Sequence, residues 1–203
     1  MKNKKAKVAV LVSGGGTNLQ ALIDAAAGGI IKSGQIALVV SNKADAYALT
    51  RAKAAKIKTA VIESDYTKKA EFEKALVCLL EENGIDLIVL AGFMLILSRD
   101  FVSRYEKRII NVHPSLIPAF CGEGFYGLRV HEAALDYGVK VTGATVHFVN
   151  EIADGGEIIM QKPVRIYEND TPERLQKRVM RRAEWKILPA AVEKVCKKIT
   201  EEE

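Results

Sequence analysis

Apolar residues along the chain follow two alternating periods. Short apolar runs at 7–12, 36–40, 59–62, 85–91 and 108–112 have the length and β-branched content of strands. Between them, apolar residues recur three or four positions apart. This spacing predicts helices over 19–27 (Leu19, Leu22, Ile23, Ala26), 44–55 and 67–82 (Phe72, Leu76, Leu79, Leu80), the last stopped by Asn83-Gly84. Ser98 is an N-cap candidate for a short helix to 105, and 130–137 reads as a helix ended by Gly138. The run 85–91 is apolar almost throughout, as expected of a strand covered on both faces. Strand and helix in repeated alternation predict a parallel α/β sheet with right-handed crossovers. The pattern then changes. Residues 141–149 alternate, with Val141, Gly143, Thr145, His147 and Val149 on one face, and a second strand follows at 157–166. These read as an antiparallel pair added to the sheet. Thr171, Pro172 and Glu173 open a long C-terminal helix, which Pro189 is expected to kink or split. With no repeat, low-complexity segment or linker, 1–203 is expected to form one domain.

A chain of 203 residues can bury a core without disulfides or metal. The longest uncharged apolar run, the 11 residues 87–97, is too short to cross a bilayer. The basic start, 1–5, leads into a strand and a glycine loop rather than a signal-peptide core, so a cytoplasmic location is expected. Cys78, Cys121 and Cys196 are odd in number and have no metal-ligand spacing; neither a disulfide framework nor a metal site is indicated. Cys121 lies in a loop, inert or reactive. The net charge of +5 fits nucleic acid or anionic small substrates. The lysines are dispersed like solvated helix faces, without a nucleic-acid-binding motif, so no nucleic-acid and no membrane partner is expected.

Candidate chemistry collects at strand ends. Ser13-Gly14-Gly15-Gly16-Thr17-Asn18 joins a strand to a helix, an arrangement that offers backbone N–H groups to an anion. It lacks the Lys-Ser/Thr of a P-loop. Leu19 stands where a dinucleotide fingerprint has its third glycine, so a single phosphate is favoured over NAD, with a ligand-free tight turn as the alternative. The apolar loop 92–97 reads as either the wall of a flat aromatic ligand or ordinary core. Asn111 and His113 sit two apart at the end of an apolar strand and so face one way. Pro114 holds His113 extended. An amide donor and an imidazole on one edge can bind a developing oxyanion; a strand end satisfied by nearby backbone is the plain alternative. In Asp154-Gly155-Gly156, two glycines are expected to give the backbone the freedom to aim a carboxylate inward. His131 reads as a surface or packing residue with a functional role as the alternative, and His147 as a satisfied sheet histidine.

Taken together, these segments resemble the phosphoribosylglycinamide formyltransferases, folate-dependent enzymes of purine synthesis. The resemblance covers nearly the whole chain. It is carried by Asn111-Val112-His113-Pro114-Ser115-Leu116, His147-Phe148-Val149 and Asp154-Gly155-Gly156, with the glycine loop, Ser41-Asn42-Lys43-Ala44-Asp45-Ala46 and Ala91-Gly92-Phe93-Met94. It implies a Rossmann-like open sheet, mostly parallel, with the phosphate site in the N-terminal half and the folate and catalytic parts in the C-terminal half. It further implies attack by the amine of glycinamide ribonucleotide (GAR) on the formyl carbon of 10-formyltetrahydrofolate, with no metal. Asn111 and His113 would hold the oxyanion, while Asp154 would favour charged His113 and place a proton-carrying water. GAR would be held by Gly16, Thr17, Asn18 and Glu184. Folate would contact Lys69, Met94, Leu95, Ile96, Leu97, Asn111, Asn150, Glu151, Ile152, Ala153 and Asp154. Leu95 replaces an arginine of some members, and the loop 121–127 is longer than in some. Arg181 and Arg182 beside Glu184 aid the phosphate or form a solvated face. Methionyl-tRNA formyltransferase and formyltetrahydrofolate hydrolase share Asn, His and Asp but normally carry an extra domain for which this chain is expected to have no room. A non-catalytic nucleotide-binding module need not keep all three. The enzyme is expected to be a monomer or homodimer. An added side chain at Gly16 is expected to weaken binding of the phosphorylated substrate.

Overall fold

The apolar runs become seven strands of one sheet in the computed structural model, which describes residues 4–64 and 66–202. The strands are β1 (Ala6–Val12), β2 (Gly34–Ser41), β3 (Lys58–Val61), β4 (Leu87–Leu90), β5 (Ile109–His113), β6 (Val141–Phe148) and β7 (Ile158–Arg165). Their order is β3-β2-β1-β4-β5-β6-β7. All neighbours up to β5 are parallel, and β6 and β7 are antiparallel. The strand order reverses between β1 and β4. Loops leaving the carboxyl ends of these two strands therefore flank a crevice, the usual ligand position in an open α/β sheet.

Helices cover both faces: α1 (Thr17–Ala27), α2 (Tyr47–Ala54), α3 (Lys69–Glu82), α4 (Arg99–Arg104), α5 (Leu128–Tyr137), α6 (Pro172–Val179) and α7 (Trp185–Glu202). Alternate residues of β1 serve two cores. Val8, Val10 and Val12 pack with α1 and the C-terminal helices, whereas Ala9 and Leu11 pack with Phe72, Leu76 and Leu80 of α3. All of β4 is buried, as its unbroken apolar sequence requires. Ser98 caps α4, accepting the Phe101 N–H, and Thr171 caps α6, accepting the Arg174 N–H. No helix of the described residues is long and apolar enough to cross a membrane.

Two expectations are corrected. The helix expected from 44 starts at Tyr47, because the Ala48 N–H bonds the Gly14 carbonyl at 3.0 Å; a tertiary contact sets its first turn. The C-terminal helix is not split at Pro189, which lies inside α7. Its irregularity is a π-helical segment, Met180–Glu184, between α6 and α7. Such segments widen a helix by one residue and re-aim the side chains they carry, here including Glu184.

Close approach explains Gly143. A Cβ there would stand 2.2 Å from the Lys162 carbonyl oxygen on the neighbouring strand and 2.8 Å from Leu116. Gly143→Ala must push β6 and β7 apart and should cost about 1–3 kcal/mol, lowering Tm by roughly 2–12 °C. A melting scan that finds Tm unchanged would contradict this packing.

Candidate functional site

The antiparallel register of β5 and β6 sets Asn111 opposite His147 and His113 opposite Thr145. Ile110 and Val112 point into one core, leaving Ile109, Asn111 and His113 on the other face. The loop after His113 is tied down from the sheet. The buried Thr145 hydroxyl donates to the Ser115 carbonyl (2.7 Å) and accepts the Ile117 N–H (3.1 Å), while Gln161 donates to the Ile117 carbonyl (3.0 Å). His113 therefore leaves a fixed strand for a fixed loop.

Asp154 meets this edge from the far side of the β6–β7 turn. Its Oδ2 is 3.4 Å from His113 Nδ1, its Oδ1 is 3.6 Å from His147 Nε2, and the Gly122 N–H donates to Oδ2 at 2.9 Å. The unusual backbone angle is at Asp154 itself, with φ 54°. The two glycines answer a different need from the one expected. A Cβ at Gly155 would meet Ile152 at 2.7 Å, and one at Gly156 would meet the Phe148 carbonyl oxygen at 1.7 Å. They allow close approach and do not supply positive φ.

The hydrogen bonds assign proton positions. His147 Nδ1–H donates to the Phe148 carbonyl at 2.8 Å, and in that tautomer Nε2 accepts from Asn111 Nδ2 at 3.3 Å. That bond turns the amide nitrogen, not its oxygen, toward the cluster and leaves a second N–H on it. His113 Nε2–H donates to the Phe120 carbonyl at 2.8 Å, leaving Nδ1 facing Asp154. Burial pulls the His113 pKa below the usual imidazole value, against the upward pull of Asp154 and the Phe120 carbonyl. Asp154 favours the charged form of His113, in the direction expected, but burial outweighs it; acceptors facing both ring nitrogens stabilise that form once a proton arrives. For Asp154, burial pushes the carboxyl up, but His147, His113 and the Gly122 N–H together outweigh it and hold the pKa below the usual value.

His147 thus belongs to the cluster and is more than a satisfied sheet histidine. The signal that could have found it is its register opposite Asn111, which sequence periodicity does not contain. His131 is fully buried on α5, with neither ring nitrogen partnered among the described residues. Burial, then the nearby His113, lowers its pKa to about 4. Burial raises the Cys121 thiol, with Asp154 adding to the rise, which argues against a reactive thiolate. Among the described residues, no His, Cys, Asp and Glu side chains are grouped to hold a metal ion.

At the other end of the crevice, the first turn of α1 has no side-chain cap and no acidic residue. Its free end suits an anion. Gly16 is left-handed (φ 70°), and a Cβ there would lie 2.6 Å from Ala48, so a side chain at this position would disturb α2 as well as any ligand. Gly14 and Gly15 have open space instead. Asn18 and Glu184, 166 residues apart, meet in a buried bond from Asn18 Nδ2 to Glu184 Oε2 at 2.7 Å; Asn18 Oδ1 has no partner among the described residues. Burial raises the Glu184 pKa to about 7, with the Asn18 bond opposing.

Apart from Asn111 on β5 and Lys69 on α3, the residues expected at folate occupy two loops, and a 2.7 Å ion pair links Arg99, at the start of α4, to Glu151 of the second. Met94, Ile96 and Ile152 expose apolar side chains. Leu95 and Leu97 pack back against the α3 core, so the side chain at 95 does not face the crevice. Asn150 Oδ1 accepts the Ile152 N–H at 3.0 Å and shapes the second loop, where Ala153 is exposed. Lys69 stands apart, in a cleft of about 580 Å3 shared with Lys74, Ser98 and Arg104. The cleft touches the first loop only at Ser98, and Asn111, His113 and Asp154 do not line it.

Residues 6–192 match the family model described as formyl transferase. The chain is 44% identical over 187 residues to the phosphoribosylglycinamide formyltransferase of Haemophilus influenzae, covering 92% of this chain and 85% of that protein. It is 48% identical over 196 residues to the human trifunctional purine biosynthetic protein adenosine-3, covering 96% of this chain but only 19% of that protein. It therefore spans about a fifth of the trifunctional relative. The crystal structure of glycinamide ribonucleotide transformylase 1 from Symbiobacterium toebii superposes with a TM-score of 0.88 at 39% identity, covering 96% of this chain and 89% of that one.

The Glu184 carboxyl makes stability depend on pH. Its proton is held up to about pH 7 in the folded protein and released near 4.5 in the unfolded chain. Its contribution is fully present below 4.5 and is lost as pH rises to 7, a change of roughly 3 kcal/mol. Glu184→Gln, which does not titrate, should therefore gain stability over the parent by about that amount between pH 4.5 and 7.5 without ligand. Parallel denaturant curves at the two pH values that show a constant difference would refute a buried, proton-holding Glu184.

Proposed function

This chain belongs to the formyl transferase family, and we propose that it transfers the formyl group of 10-formyltetrahydrofolate to the amine of GAR. The observation that carries the reading is the convergence of Asn111, His113 and Asp154, from two separate segments, at the carboxyl end of the sheet. The names of these relatives supply the acceptor and the formyl group, and the family resemblance supplies the folate donor. The free N-terminus of α1 at Gly16, Thr17 and Asn18 suits the GAR phosphate, and Asn18 Oδ1 with Glu184 suits the donor-rich remainder of the molecule. The N-terminal half then binds phosphate, and the C-terminal half holds the reacting groups and one of the two folate loops. The pterin lies between the loops 94–97 and 150–154, against Met94, Ile96 and Ile152 and the backbone.

The amine nitrogen attacks the formyl carbon, its bond to the folate nitrogen breaks, and one proton passes from the attacking to the leaving nitrogen. The second Asn111 N–H, aimed by His147, donates to the oxygen as it gains charge. Neutral His113 accepts the proton at Nδ1, where Asp154 stabilises the imidazolium until the proton moves on, directly or through a water. A pKa below the usual imidazole value suits this role, since a ring already charged could not accept.

Asn111→Ala should lower kcat on the order of 100-fold or more while folate affinity changes little. Normal turnover in that variant would remove the oxyanion role. Asp154→Asn should keep the fold and lose most activity. Gly15→Val fills open space and should raise KM for GAR on the order of tenfold with Tm unchanged; an unchanged KM moves the phosphate elsewhere. The decisive assay follows tetrahydrofolate release by purified protein. Release that requires GAR supports the transferase, release without GAR indicates hydrolysis, and no release rejects both.

A further inference from the structure

β1 and β4 are parallel neighbours, with Leu11 opposite Leu90 and the Ala91 N–H bonded to the Leu11 carbonyl at 3.0 Å. The loops that follow them leave the sheet side by side. One is the glycine loop proposed for the GAR phosphate, and the other is the wall proposed for folate. Each contains glycine next to its ligand-facing part: Gly14, Gly15 and Gly16 in the first, and left-handed Gly92 in the second. Backbone at glycine is free to take several paths, so some further contact must hold each loop.

One buried hydroxyl holds both. Ser13, the first residue of the glycine loop, accepts the Met94 N–H at 2.9 Å and donates to Asn42 Oδ1 at 2.7 Å; Ser13 and Asn42 are buried, 6% and 5% exposed. Asn42 directly follows β2, and its amide reaches toward the Ser64 carbonyl beyond β3 at 3.5 Å. A serine hydroxyl has one proton, committed here to Asn42, so toward the Met94 N–H it acts as acceptor and ties the second loop to the first. If they shift apart, the bond from the Met94 N–H to the buried Ser13 hydroxyl is lost.

We propose that Ser13 is a positioning residue that couples the two substrate sites, so that either substrate, by fixing its own loop, prepares the loop that receives the other. The inference rests on the functional reading above. The ordering cost of the two loops is met once and shared between the ligands, which produces positive cooperativity without a large movement. Ser13 does this through backbone positions and touches neither substrate. Linkage makes the effect reciprocal: the factor by which GAR tightens folate binding must equal the factor by which folate tightens GAR binding.

Calorimetric titration of the full-length protein with tetrahydrofolate, with and without saturating GAR, measures that factor without turnover, because no formyl group is present. The reverse titration measures it again. The parent protein should show the same factor both ways, at least about fivefold. In Ser13→Ala the factor should fall below about twofold while each ligand alone binds within about threefold of the parent, a split that general loosening of the fold would not give. Should Ser13→Ala not fold, Asn42→Ala carries the same test, since it leaves the hydroxyl but removes the acceptor that orients it. An uncoupled parent, or a variant that keeps the parent factor, overturns the proposal. A parent that binds neither ligand alone or together overturns it along with the functional reading on which it stands.

Discussion

The pairing of β6 against β5 is the constraint on which the site depends. Reversing strand direction at this point places β6 side chains directly opposite those of β5. Asn111 thereby gains His147 as a neighbour, and the loop after His113 gains Thr145 as an anchor. The turn between β6 and β7 then returns Asp154 to the same edge. A one-residue slip in this register would send each of these β6 side chains to the opposite face. Gly156 and Gly143 protect the arrangement from within, because a methyl group at either would strike a backbone carbonyl.

Electrostatics at the two ends of the crevice differ in kind. Around Asp154, His147, His113 and the Gly122 N–H outweigh burial and hold the carboxyl pKa below its usual value, while burial outweighs Asp154 and holds the His113 pKa below the usual imidazole value. Around Glu184 the Asn18 amide opposes burial, and burial wins. One carboxyl is prepared to stabilise a passing positive charge. The other is close to balance between acid and carboxylate near neutral pH, beside an amide oxygen unpartnered among the described residues. Between them run the glycine loop and the apolar wall, linked through Ser13.

Much of this was legible in the residues. The alternation of periods implied the parallel sheet, and the change to period two after 141 implied the antiparallel pair, because the two spacings follow from helix and strand geometry alone. Asn111 and His113 were seen to share a face for the same reason. Strand ends followed by Gly or Pro marked the loops where polar groups collect. The Asp-Gly-Gly turn marked Asp154, and the resemblance to a known family joined it to Asn111 and His113 and added Glu184.

What stayed hidden depends on contacts between distant segments. The role of His147 needed the β5–β6 register, the reason for Gly155 and Gly156 needed Ile152 and the Phe148 carbonyl in place, and the start of α2 needed the Gly14 carbonyl. The protonation of His113 could not be read from its neighbours in sequence, because it is the difference between desolvation and the pull of Asp154, and both arise only when the chain has closed around them. Sequence by itself determined which residues lie on which face of each element, since that is a property of local backbone geometry. Tertiary structure decided which faces meet, and therefore which protons are held and where, since burial and charge act through space.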